Sequence, residues 1–99
     1  MNSVRKKQFK AQAHTLKPVI IVGQAGLTES VLKEIEITLD THELIKIKIR
    51  AERDDRKVIQ EQIVAETKAE LIQSIGQIIV IYRKKPEVKI EKVTGPRRR

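Results

Sequence analysis

The sequence predicts one α/β domain with the element order α-β-α-β-α-β-β, in which three helices cover a four-stranded mixed sheet. Ninety-nine residues suit a single core. Apolar residues recur at helical spacing in some segments and form β-branched runs in others. Helices that lie between strands favour right-handed crossovers. We assign residues 1–83 to the domain and residues 84–99 to a basic, flexible C-terminal tail.

The first two elements are a helix and a short buried strand. Ser3 is a candidate cap for a helix that extends to about His14. Pro18 ends this segment because the residue before a proline disfavours helical geometry. Residues 18–22 are apolar and largely β-branched, which predicts a buried strand. The apolar stripe of the helix is expected at Val4, Phe9 and Ala13.

A second helix and a half-polar strand follow. Thr28 is a good N-cap for the helix, whose apolar residues recur every three or four positions. Residues 44–50 then alternate strictly between apolar and basic side chains, which predicts a strand with one solvated face. The apolar positions are Ile45, Ile47 and Ile49, and the basic positions are Lys46, Lys48 and Arg50.

A third helix and a hairpin complete the predicted domain. Asp54 or Asp55 is the expected cap of the helix, which extends to about Ala69. Residues 71–75 and 78–83 form two strands around a tight Gly76-Gln77 turn. We expect the first and fourth strands in the centre of the sheet, because they are apolar on both faces. The half-polar strand is expected at or near an edge. The inward positions of the third helix are expected to be Val58, Ile59, Ile63 and Ala65.

The positive charge is concentrated at the two ends of the chain. The formal net charge is +8, of which residues 1–17 contribute +5 and residues 84–99 another +5, whereas residues 18–83 sum to −2. This distribution favours a polyanionic partner, although basic tails on an ordinary soluble protein would give the same count. The chain has no cysteine, no apolar run long enough to span a membrane and no secretory signal, so a cytoplasmic location is expected.

The loop after the first strand has the sequence Gly23-Gln24-Ala25-Gly26 and precedes a helix. The first turn of a helix has backbone N–H groups without partners and the positive end of the helix dipole. Glycines let a phosphodiester approach the backbone closely. The simpler alternative is a tight βα turn in which Gly26 adopts positive φ. No Gly-Lys-Ser/Thr follows and a third glycine is absent, which excludes a P-loop and a dinucleotide fingerprint.

Three segments in order, KPVIIVGQAGLTE at 17–29, ELIKIK at 43–48 and IGQIIVIYR at 75–83, resemble the CRM (chloroplast RNA splicing and ribosome maturation) domain. The length is similar to that of its stand-alone bacterial, YhbY-like members. The resemblance implies a fold similar to the C-terminal domain of translation initiation factor three. It also implies RNA binding through Gly23, Gln24, Ala25 and Gly26, and association with large-subunit ribosomal precursors.

Basic residues outside the loop are further candidates for RNA contact. Lys46, Lys48 and Arg50 either contact phosphates or only solvate an outer strand face. Phe9 and Tyr82 are the only aromatic residues, too few for a sheet that stacks bases on exposed rings, so recognition should depend on backbone and shape. The basic residues of the first helix and the segment after it are Arg5, Lys6, Lys7, Lys10 and Lys17.

No residues are spaced for catalysis or for a metal. His14 and His42 each end a helix, where the dipole favours a cation, and Asp54-Asp55 fits a cap better than a magnesium site. We therefore expect no cofactor, metal or small-molecule substrate. The expected function is non-catalytic binding of structured RNA, such as large-subunit ribosomal RNA precursors, during ribosome assembly. The alternative is a protein-interaction adaptor with basic tails. A hydrolase is disfavoured because the sequence shows no nucleophile paired with a base.

Overall fold

The computed structural model describes residues 2–84 and contains the seven predicted elements in the predicted order. The predicted tail, apart from Lys84, lies outside the described residues. The three helices are α1 (Ser3–Ala13), α2 (Glu29–His42) and α3 (Arg53–Thr67). The four strands are β1 (Ile20–Val22), β2 (Leu44–Ile49), β3 (Glu70–Ile75) and β4 (Ile78–Tyr82).

The strands form one mixed sheet in the order β1-β2-β4-β3. β1 pairs with β2 in parallel, whereas the other two pairings are antiparallel. The central position predicted for β4 is confirmed, but the central position predicted for β1 is wrong. β1 forms an edge and β2 lies between β1 and β4. The apolar run of β1 misled the prediction because Ile21, on its second face, is 55% exposed rather than buried.

The larger core lies between the sheet and the pair α2 and α3. Ile45, Ile47 and Ile49 of β2 point into it, so the predicted alternation of these positions is confirmed. Complete burial of one such side chain contributes about 1.5–3 kcal/mol, which makes this layer the main source of stability. Its fully buried side chains include Ile35, Leu39, Ile45, Ile47, Ile49, Ile63 and Ile81.

The smaller core lies on the opposite face of the sheet, under α1. Ala13 packs there against Ile72 and Val80, and the rings of Phe9 and Tyr82 stack with their centroids 4.3 Å apart. The apolar stripe predicted for α1 is therefore confirmed at two of its three positions. The third, Val4, is 64% exposed.

The helix ends differ from prediction in detail. The N-cap of α1 is Asn2, whose Oδ1 accepts a hydrogen bond from the N–H of Arg5, so the cap predicted at Ser3 is wrong by one residue. Asparagine caps a helix as well as serine does. Thr28 caps α2 as predicted. α3 begins after Glu52, which makes no side-chain cap bond, and the predicted caps Asp54 and Asp55 lie within its first turn, where the dipole favours acids. Two positions of α3 predicted to point inward are exposed: Val58 and Ala65.

Arg83 joins the end of β4 to both helices of the larger core. Its Nη1 donates to the carboxylate of Glu36 and to the carbonyl oxygen of Thr67, 2.8 Å away. Its Nη2 donates to the carboxylate of Asp40 at 2.9 Å. Although burial lowers the pKa of Arg83, its hydrogen bonds and charge interactions with Glu36 and Asp40 raise that pKa above its ordinary value. Sequence reasoning did not identify this role.

We expect Arg83→Met to lower the free energy of unfolding by about 2 kcal/mol, because two carboxylates and a carbonyl lose a partly buried charged donor. Urea denaturation would measure the loss. The control is Lys33→Met, which removes a cation from an exposed position on α2. Equal stability of the Arg83 variant and the wild-type protein would contradict the role assigned to this network.

Candidate nucleic-acid interface

The Gly23–Gly26 loop is a closed turn that leads from β1 into α2. The N–H of Gly26 donates to the carbonyl oxygen of Gly23 at 3.0 Å. Gly26 has φ +79°, a conformation that side chains with a Cβ rarely adopt. The simpler alternative, a turn that needs glycine for positive φ, is therefore confirmed for Gly26.

Gly23 has no comparable role in the fold. Its φ is not in the left-handed region, and a Cβ built on it would have no described atom within 4 Å. A Cβ on Gly26 would also meet open space. The protein therefore needs a glycine at position 26 for its own backbone, but not at position 23. Beside both glycines the loop is open to a ligand.

The parallel pairing of β1 with β2 brings other polar groups to the same edge. Both strands end there, and the N–H of Arg50 donates to the carbonyl oxygen of Val22 at 2.9 Å. The N–H of Ile49 donates to the carbonyl oxygen of Gln77 at 2.7 Å, which brings the β3–β4 turn to this edge. Gln24, Arg50 and Gln77 line one shallow depression, together with Glu52 and Asp55. Gln77 was not predicted as a site residue, because only the antiparallel β2–β4 pairing brings it there.

Three of the predicted basic residues come together on the face of the sheet that carries α1. Lys10 and Lys46 line one groove beside α1, and Lys17 and Lys46 line another. The Nζ of Lys46 also donates to the carbonyl oxygen of Leu16 at 3.0 Å, so this side chain helps to hold the segment between α1 and β1. Lys46 and Lys48 are half-buried, whereas Arg50 is exposed. Lys46 therefore lies beside α1 rather than on a fully solvated strand face.

The other α1 cations are less closely tied to the sheet. The guanidinium carbon of Arg5 lies 5.5 Å from the centroid of the Phe9 ring, within the range of a cation–π interaction. Lys6 is half-buried and Lys7 is exposed. Together with Lys10 they make the helix basic without an opposing acid.

Both histidines lie at helix ends rather than beside the loop. His14 is the C-cap of α1 and His42 is the last residue of α2, as predicted. In residues 2–84, no group of three or more His, Cys, Asp and Glu side chains is arranged to hold a metal ion. None of the described helices is both long and apolar enough to cross a membrane.

The family model of the CRS1/YhbY (CRM) domain matches residues 1–83. The chain belongs to the CRM domain family. The predicted membership is thus confirmed.

Relatives of this CRM domain include short bacterial proteins. Probable RNA-binding protein PA4753 of Pseudomonas aeruginosa is 51% identical over 84 residues, which cover 84% of this chain and 81% of that protein. A protein of Haemophilus influenzae named RNA-binding protein is 50% identical over 91 residues, covering 90% and 92% of the two chains. The solution structure of Staphylococcus aureus SAV1595, described as an RNA-binding candidate, has a TM-score of 0.76 and 36% identity, and the match covers 90% of this chain and 94% of that one.

The two loop glycines should differ in their effect on stability. We expect Gly26→Ala to lower the free energy of unfolding by about 1 kcal/mol, because alanine at positive φ is strained. Gly23→Ala should leave it within about 0.5 kcal/mol of the wild-type value, because the added methyl group meets no neighbour. Thermal or urea unfolding of both variants would test this. A large loss for Gly23→Ala would show that the fold itself requires this glycine.

Proposed function

We propose that this CRM domain is a non-catalytic RNA-binding protein that holds the RNA backbone on the Gly23–Gly26 loop. Its proposed target is the structured precursor of large-subunit ribosomal RNA, bound in the cytoplasm during ribosome assembly. The observation that carries the proposal is Gly23, a glycine with open space around it and a φ outside the left-handed region, in the loop that leads into the N-terminal end of a helix. Because glycine has no Cβ, the backbone of a ligand can approach the protein more closely at this position than at a residue of any other type.

The surroundings of the loop suit a phosphodiester. The first turn of α2 supplies backbone N–H groups and the positive end of the helix dipole. The side chain of Thr28 satisfies the N–H of Val31, 3.2 Å away, and so fixes the direction in which the helix begins. Arg50, held to Val22 through its backbone N–H, provides a cation beside the loop, in a depression that Glu52 and Asp55 also line. These groups bind phosphate without reading bases.

The cations of α1 and β2 extend the proposed contact beyond the loop. Lys10, Lys17 and Lys46 line two neighbouring grooves, and residues 1–17 carry a charge of +5 without an acid. Each phosphate neutralised by such a cation releases counterions, which supplies much of the affinity for RNA at moderate salt. Phe9 and Tyr82 stack on each other, so the two ring faces between them are not available to bases. The proposed recognition therefore depends on backbone and shape.

The names of relatives support RNA as the ligand of this protein. The proteins from Pseudomonas aeruginosa and Haemophilus influenzae, and a Bacillus subtilis protein that is 31% identical over 86 residues, are all named as RNA-binding or probable RNA-binding proteins. The ribosomal target rests on the resemblance of the three sequence segments to the CRM family.

One observation favours a second candidate, the protein-interaction adaptor. Val19, Ile21 and Ile75 are large apolar residues that are each more than half exposed. Exposed apolar surface of this kind often marks a protein interface. RNA binding by the loop and protein binding by this surface would respond to different substitutions, so variants can separate the two candidates.

We expect Gly23→Asp to weaken RNA binding by about tenfold, equivalent to ~1.4 kcal/mol, because a carboxylate would repel and obstruct the phosphodiester. Fluorescence anisotropy with a fragment of precursor ribosomal RNA would measure the affinity, and thermal unfolding would confirm that the variant folds. Ala65→Glu is the charge-matched control, since it adds one negative charge at an exposed position of α3. Unchanged affinity in a folded Gly23→Asp protein would exclude the loop from RNA binding.

The ribosomal target should be visible in cells. Ultraviolet crosslinking followed by sequencing of the bound RNA should show enrichment of large-subunit precursor RNA relative to its abundance. The Gly23→Asp protein, expressed at the same level, should show reduced enrichment. A profile that simply follows RNA abundance would leave only general affinity for polyanions and would contradict the proposed target.

A further inference from the structure

One row of side chains crosses all four strands on the face of the sheet that carries α1. The strand registers pair Ile21 with Lys48, Lys48 with Ile78 and Ile78 with Ile75. Three of these four residues are isoleucines. Ile21 is 55% exposed and Ile75 is 62% exposed, whereas Lys48 and Ile78 are half-buried. We call these four residues the open row.

The open row is the part of this face that α1 leaves accessible. The helix packs on Ile72 and Val80 through Ala13, and on Tyr82 through Phe9. These contacts lie farther along β3 and β4 from the Gly76-Gln77 turn than the open row does. On this face the protein therefore has an apolar surface that is continuous with the smaller core but is not covered by α1. Apolar side chains that lie together on a protein surface can mark a binding site.

The open row adjoins the proposed backbone-binding loop. Ile21 lies two residues before Gly23, and Lys48 two residues before Arg50. Two residues of a strand span about 7 Å, which is within the reach of one nucleotide. Ile75 and Ile78 flank the turn that contains Gln77, at the same edge of the sheet. An RNA strand held at the loop would thus have this surface directly beside it.

The charges around the row indicate which partner it fits. Lys48 lies within the row, and Lys10, His14 and Lys46 line the groove that leads to Ile75 and Ile78. A second copy of the chain is disfavoured because each copy has a net charge of +8. An unpaired RNA segment has both required properties, namely apolar base faces and an anionic backbone. A base-paired RNA hides its base faces in the stack and cannot use the isoleucines.

We infer that the open row binds unpaired bases of the same RNA strand whose backbone lies on the Gly23–Gly26 loop. This inference rests on the proposed function and deepens it. The isoleucines bury the base faces by aliphatic contact in place of ring stacking, and the lysines hold the adjacent phosphates. Aliphatic contact does not read base edges, so the row distinguishes unpaired from paired RNA and tolerates different sequences. It also gives a role to apolar residues that would otherwise favour the adaptor.

The test compares two RNAs, a hairpin with a uridine-rich unpaired loop and a blunt duplex with the same paired segment. In the double variant Ile21→Ser with Ile75→Ser, affinity for the hairpin should fall about tenfold, because the base faces lose the apolar surface that buries them. Affinity for the duplex, and the salt dependence of binding, should remain at the wild-type values because no cation is removed. The matched control is Ile37→Ser with Val58→Ser, which removes apolar residues of similar exposure, 58% and 54%, from α2 and α3.

Each outcome decides the inference. If the serine variant fails to fold, Ile21→Thr with Ile75→Thr keeps the β-branched side chains that strands favour and should show the same selective loss. Wild-type affinity for the hairpin, or an equal loss for hairpin and duplex, would overturn the inference and leave the row to a protein partner. If Gly23→Asp still weakens RNA binding in that case, the proposed function is retained and only the inference about the open row is lost. A wild-type protein that binds neither RNA would overturn both.

Discussion

Three residues of β1, paired in parallel with β2, determine where every proposed RNA contact of the loop lies. A parallel pair requires a crossover, and α2 supplies it. The two strands consequently end at one edge, so the loop after Val22 lies beside Arg50 and is joined to it by a backbone hydrogen bond. At the other end, the N–H of Val19 donates to the carbonyl oxygen of Lys46 at 3.0 Å. If this short strand detached, the loop would lose its cation and the N-terminal end of α2 would lose its orientation.

The two faces of the sheet serve different purposes. The face under α2 and α3 is filled by isoleucine and leucine side chains that are almost completely buried, and Arg83 ties its far end to both helices. The face under α1 is only partly covered and combines lysines with half-exposed isoleucines. Because the first face provides most of the stability, the second can expose apolar side chains without loss of the fold. This division permits binding residues to lie on rigid strands rather than on mobile segments.

Sequence reasoning found the elements because their signals are local. The strict alternation of β2, the spacing of apolar residues in α2 and the Gly76-Gln77 turn each determine a structure within one segment. The cap at Thr28 and the positive φ of Gly26 are equally local consequences of residue type. The family resemblance rests on the same segments. The sequence alone thus identified the fold class, the family and the loop.

Only the tertiary structure decided which residues lie together, because strand order and helix placement depend on contacts between distant segments. The apolar composition of β1 predicted a central position, but β1 is an edge strand whose second face is open. The half-polar β2 lies inside the sheet, because its long lysine side chains can extend beside α1 to solvent. Pairing of β2 with β4 brought Gln77 to the loop and aligned Ile21 with Ile75 across four strands. No local pattern encodes these neighbours. They follow from register, which is fixed when the buried face of each strand packs on the same core.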